Sequence, residues 1–147
     1  MPSKSKVCFF FQGAKVDLAN RSILKIYIQS IFKKEGKKLD SVNFIFCSDR
    51  ALLEINQKYL NHDFYTDIIT FNLSETEVIQ AEIYISIDRV RENSLKLGVS
   101  IKSELLRVIF HGVLHLCGYD HETDNGEMNR LEQKLRKRLL NTKQRSY

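Results

Sequence analysis

The segment that most constrains the fold runs from Ser100 to His121. Ser100 is a helix-capping residue type, and the pattern after it predicts a central helix to about Leu116, with Gly118 as the terminator. His111 and His115 are four residues apart, so on a helix they project from one face, one turn apart. Their ring nitrogens can therefore meet on a single ion. Gly118 tolerates a positive φ because it has no Cβ, and a turn there can bring His121 back over the same face. Three neutral imidazoles would then fill three corners of a tetrahedron. The fourth stays open for water, which is the catalytic arrangement rather than the closed structural one. The candidate metal ligands are thus His111, His115 and His121, and the candidate ion is one Zn²⁺. A three-histidine zinc site can lower the pKa of bound water to about 7 and polarise a phosphoryl or carbonyl oxygen.

The spacing H-x-x-x-H-x-x-G-x-x-H is that of the metzincin proteases. Those enzymes place a glutamate directly after the first histidine as general base, and here that position is Gly112. The metal scaffold is present and the peptidase's base is missing. Neutral ligands leave the ion its full dipositive charge, which suits an anionic phosphodiester. Glu104 lies two helical turns before His111 and could support a ligand or handle protons; it also suits a first helical turn on dipole grounds alone. Asp120 and Glu122 flank His121, and either could orient an imidazole or be solvated. None is assigned a catalytic role. His62, alone in a polar loop, reads as a surface residue, and Cys117 as a buried thiol rather than a fourth ligand.

The rest of the chain supplies a scaffold. Its 147 residues fit one domain, with 43% apolar and 28% charged residues, six Gly and the single Pro2. Strands are expected at Val7–Phe11, Ser41–Cys47, Ile68–Phe71 and Ala81–Ile87. Helices are expected at Asp17–Lys34, Arg50–Leu60, Arg89–Leu97 and Glu127–Leu140, besides the central one. The order gives an α/β (α+β) fold: a mixed sheet of about four strands covered by about five helices, with the zinc site at the end of the central helix. Strand order does not follow from the pattern. Cys8, Cys47 and Cys117 are odd in number and form no CxxC pair, which argues against a disulfide framework. No secretory leader or membrane span is evident, so a cytoplasmic protein is expected.

With the histidine segment and these elements in view, a resemblance emerges. His111-Gly-x-Leu-His115-Leu-x-Gly118-Tyr119-Asp120-His121 resembles the signature of the YbeY family of ribosomal RNA maturation factors, metal-dependent endoribonucleases that act on single strands. Asn56–Tyr59, Thr66–Phe71, Ala81–Ser86, Glu104 and the Met128…Glu132 helix are similar to the family pattern as well. The resemblance implies that the three histidines bind zinc. It also implies processing of the 3′ end of small-subunit ribosomal RNA, ribosome quality control, and the small ribosomal subunit as partner. Leu60 departs from the pattern: many members carry an Arg there, and a guanidinium that could hold a phosphate is absent.

Charge adds moderate support for RNA. The chain carries 23 Lys+Arg against 18 Asp+Glu, a net +5 that permits a polyanionic partner without demanding one. After Asn129 come Arg130, Lys134, Arg136, Lys137, Arg138, Lys143 and Arg145, with Glu132 as the lone acid. That surface could track phosphates or be a solvated helix face. Tyr59, Phe64 and Tyr65 could stack unpaired bases or pin their loop to the core. The leading reading is a zinc-dependent endoribonuclease. Its competitors are a non-catalytic, zinc-stabilised ribosome-binding assembly factor and a peptidase-like hydrolase, the last opposed by Gly112.

Overall fold

In a computed structural model the described residues are 5–18, 20–62, 65–119, 130–137 and 139. The elements are β1 (Val7–Phe11), α1 (Arg21–Lys34), β2 (Leu39–Cys47), α2 (Asp49–Leu60), β3 (Ile68–Asn72), β4 (Ile79–Ser86), α3 (Ile87–Leu97) and α4 (Ile101–Leu116). Residues 130–137 are also helical. The α/β architecture, the four strands and the helical cover agree with the sequence reading.

The strands form one sheet in the order β1-β2-β4-β3. β1, β2 and β4 run parallel, and β3 is an antiparallel edge strand on β4, with Ile68 opposite Ile85 and Asn72 opposite Ala81. Period-2 patterning decides which side chains face which layer. Val42, Phe44 and Phe46 on β2 and Ala81, Ile83 and Ile85 on β4 enter the larger core, beneath α1, α3 and α4. The opposite face buries a smaller cluster of Cys47, Leu52 and Ile69 under α2. α4 brings Leu105, Val108, Ile109, Phe110 and Val113 into the larger core, each nearly or fully buried. Each such side chain contributes about 1.5–3 kcal/mol of transfer free energy.

Local chemistry sets the boundaries. Ser48, Ser86 and Ser100 cap α2, α3 and α4, their hydroxyls accepting from the N–H of Ala51, Arg89 and Ser103. The Ser86 cap corrects the sequence expectation for this region: Ile87 is the first residue of α3, not the last of β4. α1 begins at Arg21 rather than Asp17, after Asn20 in a left-handed conformation without a side-chain cap bond. Leu18 is buried all the same, so the apolar spacing that suggested helix there reflects core contact.

α4 ends where Gly118 takes φ 106°. Tyr119 N–H donates to Leu114 O and Gly118 N–H to His115 O, both at 3.1 Å. This pair of bonds is the Schellman closure of a helix C-terminus. The Tyr119 hydroxyl then donates to Glu35 at 2.8 Å, tying the exit of the turn to the end of α1. Among the described residues no helix is long and apolar enough to cross a membrane.

A Cβ on Gly118 meets nothing within 4 Å, so substitution there acts on the backbone alone. Gly118→Ala is expected to cost about 1–2 kcal/mol of stability, the penalty of a left-handed conformation for an L-residue. Urea denaturation measures it; an unchanged midpoint would contradict the positive φ.

Candidate metal centre

The geometry of α4 puts the two histidines one turn apart at its C-terminal end. The His111 side chain is about four-fifths buried, while His115 is exposed. The His111 Nδ1 lies 2.5 Å from Oε1 of Glu132. A carboxylate accepts and does not donate, so Nδ1 carries the proton and Nε2 is the nitrogen able to bind a metal. His121 lies outside the described residues, as do Asp120 and Glu122. Among the described residues no group of three His, Cys, Asp or Glu stands together as a metal site. The donor chemistry of the described pair still fits a borderline divalent ion: two imidazoles at i, i+4, one with its tautomer fixed by a buried acid.

Behind His111 lies a connected set of charges. Arg107, one turn earlier on α4, donates from Nε and Nη2 to the two oxygens of Glu104 at 2.7 and 2.8 Å. Its Nη2 also lies 3.4 Å from Asp67, and its Nη1 4.0 Å from Glu132. The bond to Glu104 raises the Arg107 pKa above its ordinary value, while partial burial pulls the other way. Glu104 is fully buried. Its carboxylate serves Arg107, whose Nη1 lies 4.0 Å from Glu132, the partner of His111.

Sequence reading missed Glu132, Arg107 and Asp67. Two signals were available: Glu132 is the lone acid in a basic stretch, beside the apolar Leu131, and Arg107 precedes His111 by one helical turn. Other expectations hold. His62 is exposed, and Cys117 is buried. Burial pushes the Cys117 thiol up to about 12. The Cys47 thiol rises to about 11 through burial, with Asp88 and Asp49 adding to it. Neither thiol is a ready thiolate ligand near neutral pH.

Gly112 has a packing explanation. It faces the sheet, where an added Cβ would stand 3.0 Å from both Ile68 Cδ1 and Ile83 Cδ1. A glutamate at this position would enter the core, away from the histidine face. The metzincin base is therefore excluded by the way α4 seats on β3 and β4.

These features now stand beside known proteins. The family model described as "Endoribonuclease YbeY" matches residues 11–141. The chain belongs to the YbeY family. A relative described as endoribonuclease YbeY from Cytophaga hutchinsonii is 43% identical over 133 residues, covering 88% of this chain and 93% of that protein. Another from Flavobacterium psychrophilum is 49% identical over 102 residues, covering 69% and 73%. The solution structure of a Thermotoga maritima protein matches with a TM-score of 0.66 at 32% identity, covering 94% of this chain and 93% of that one.

Leu60, where many family members have Arg by the resemblance noted above, is 40% exposed at the end of α2. Tyr59 beside it is 62% exposed, packed edge-on against Phe71 with Lys58 over its ring. Tyr65 is half exposed under the Arg89 guanidinium, and Phe64 lies outside the described residues. Arg130, Lys134 and Lys137 are exposed and Arg136 is half-buried; Arg138, Lys143 and Arg145 are not among the described residues.

Two outcomes are expected. Gly112→Glu is expected to abolish cooperative unfolding, because it drives an unpaired carboxylate into apolar contact at a cost of several kcal/mol. Gly112→Ala is expected to stay folded with a lower midpoint, a helix gain of about 1 kcal/mol offsetting part of an overpacking cost of about 1–3 kcal/mol. Circular dichroism on heating distinguishes them, and a Gly112→Glu chain that melts like the parent contradicts the packing. Separately, a thiol reagent at pH 8 is expected to modify the partly exposed Cys8 well before Cys47 and Cys117. Rapid labelling of all three in the native chain would contradict the burial.

Proposed function

We propose that the chain is a zinc-dependent, single-strand-specific endoribonuclease of ribosomal RNA maturation, with His111, His115 and His121 as the metal ligands and the 3′ end of small-subunit ribosomal RNA as target. The observation that carries the reading is the His111–Glu132 pair at 2.5 Å one turn before His115. A buried acid fixing one imidazole of an i, i+4 pair is the arrangement that readies histidine for a divalent ion. Membership of a family described as endoribonucleases supplies the reaction class. Ribosome quality control, a cytoplasmic setting and a single catalytic domain over residues 1–147 belong to the same reading.

When bound, zinc supplies Lewis-acid charge beside the scissile phosphate and acidifies a water molecule. The chain's own residues do the rest. Glu132 holds the proton on His111 Nδ1, so that Nε2 remains the ligand atom. His115, exposed at the helix end, keeps the site open to a strand of RNA. Tyr59 and Tyr65 offer exposed ring surface on which unpaired bases can stack, each with a cationic side chain over it. The bases Arg130, Lys134 and Lys137 provide charge for phosphates.

Leu60 favours a second reading, a zinc-stabilised ribosome-binding assembly factor that does not cleave, because no guanidinium occupies that position. One assay separates the two. Purified chain is expected to cut single-stranded RNA, to lose activity with EDTA and to regain it with zinc, while His115→Ala falls to background. Metal-loaded protein that leaves RNA intact, indistinguishable from His115→Ala, overturns the nuclease reading. Co-sedimentation with ribosomes that survives His111→Ala in a folded chain then favours the assembly factor.

A further inference from the structure

We infer that Glu132 and Arg107 act as a positioning strap, making metal binding at His111 and docking of the helical stretch 130–137 a single coupled event. The inference rests on the reading of His111 as a ligand and goes beyond it, by tying a separate segment of the chain to the ion.

Glu132 is 2% exposed, so its carboxylate has left water and needs partners within the protein. One oxygen takes the His111 Nδ1–H at 2.5 Å; the other lies 4.0 Å from Arg107 Nη1. Arg107 is aimed by its own anchors. Glu104 grips it through two parallel bonds, and Asp67, which precedes β3, lies 3.4 Å from its Nη2. The guanidinium is thus fixed from α4 and from the loop before β3, and it presents Nη1 to a residue of a third segment.

Charge points the same way. Three carboxylates, Glu104, Asp67 and Glu132, gather around one guanidinium and leave two formal negative charges. A dipositive ion on neutral imidazoles balances them. Such an ion also draws electron density from the ring of His111, which strengthens donation from Nδ1 to Glu132. Stronger donation holds the 130–137 stretch more firmly. That stretch is otherwise kept in place by Leu131, Leu135 and Leu139 against the core and by the Tyr27 hydroxyl on Leu135 O at 3.0 Å. Coupling between two events is reciprocal, so a docked Glu132 raises metal affinity as much as metal favours docking.

The experiment measures zinc affinity by competition with a chromogenic chelator, and amide hydrogen exchange across 130–137 with and without zinc. Wild type is expected to bind one zinc and to slow exchange in 130–137 when loaded. Glu132→Gln keeps the shape and removes the charge; it is expected to weaken zinc binding about 10–100-fold and to lose the zinc-dependent protection. Arg107→Lys keeps a cation but removes the fork. It is expected to shift both readouts in the same direction by less, and it carries the test should Glu132→Gln fail to fold. Wild-type zinc affinity in both variants overturns the inference, as does wild-type exchange in 130–137 that zinc leaves unchanged. Variants that loosen 130–137 without metal yet bind zinc like wild type would assign Glu132 a structural role alone, and also overturn it. A wild-type chain that binds no zinc removes the reading of His111 itself, a failure distinct from the others.

Discussion

The seating of α4 on the sheet is the contact from which the rest of the architecture follows. Gly112 faces Ile68 and Ile83 with no room for a side chain at ordinary spacing. This close approach sets the depth of the helix on β3 and β4. It also fixes the rotation of α4 about its axis. With Gly112, Ile109 and Val113 turned to the core, His111 and His115 are turned away from it. A helix has 100° between successive residues, so one buried glycine settles the direction of the histidine beside it. The same contact explains why the chain carries a metalloprotease-like spacing without a protease's base.

A second constraint acts from outside the helix. Imidazoles on a helix surface can rotate about χ1 and χ2, and each rotation frozen costs free energy. Glu132 removes that freedom at His111, and Arg107 lends Glu132 a compensating charge 4.0 Å away. The guanidinium is itself held by Glu104 from the preceding turn. The order of the site is therefore delivered through a chain of charged contacts that begins in the first turn of α4 and ends on a different segment. Elements far apart in sequence, the loop before β3 and the stretch 130–137, both approach the Arg107 guanidinium.

Much of this was legible in the sequence, and the limits have physical causes. β1 was readable at both ends because its apolar run is bounded by polar residues, and α4 because Ser100 and Gly118 bracket it. The alternation of Val42, Phe44 and Phe46 along β2 turns these three into the larger core, but Ile45 and Cys47 between and beyond them are buried too, so alternation alone does not pick the core face. The junction of β4 and α3 was misread because Ile87 suits both a buried strand and a helix's first turn, and only the Ser86 cap decides between them. Strand order depends on which loops close over which faces, and no local pattern carries that. At the site, the histidine pair was legible because both partners lie on one helix. Glu132 was not assigned, since a carboxylate twenty-one residues from its partner leaves no periodic trace. Arg107 drew no reading from the sequence, because its acids come from three separate places in the chain.

The two faces of the sheet are unequally clad. The α1/α4 side holds most of the buried side chains, while on the α2 side the buried apolar cluster among the described residues is Cys47, Leu52 and Ile69. Local opening costs least where least apolar surface is exposed. By that measure α2 is the flank that costs less to open, and it carries Tyr59 and Leu60 at its end. The histidine-bearing helix stays anchored in the thicker layer through such excursions. Detachment of α2 would therefore leave the charged contacts around His111 in place, because the two helices lie on opposite faces of the sheet.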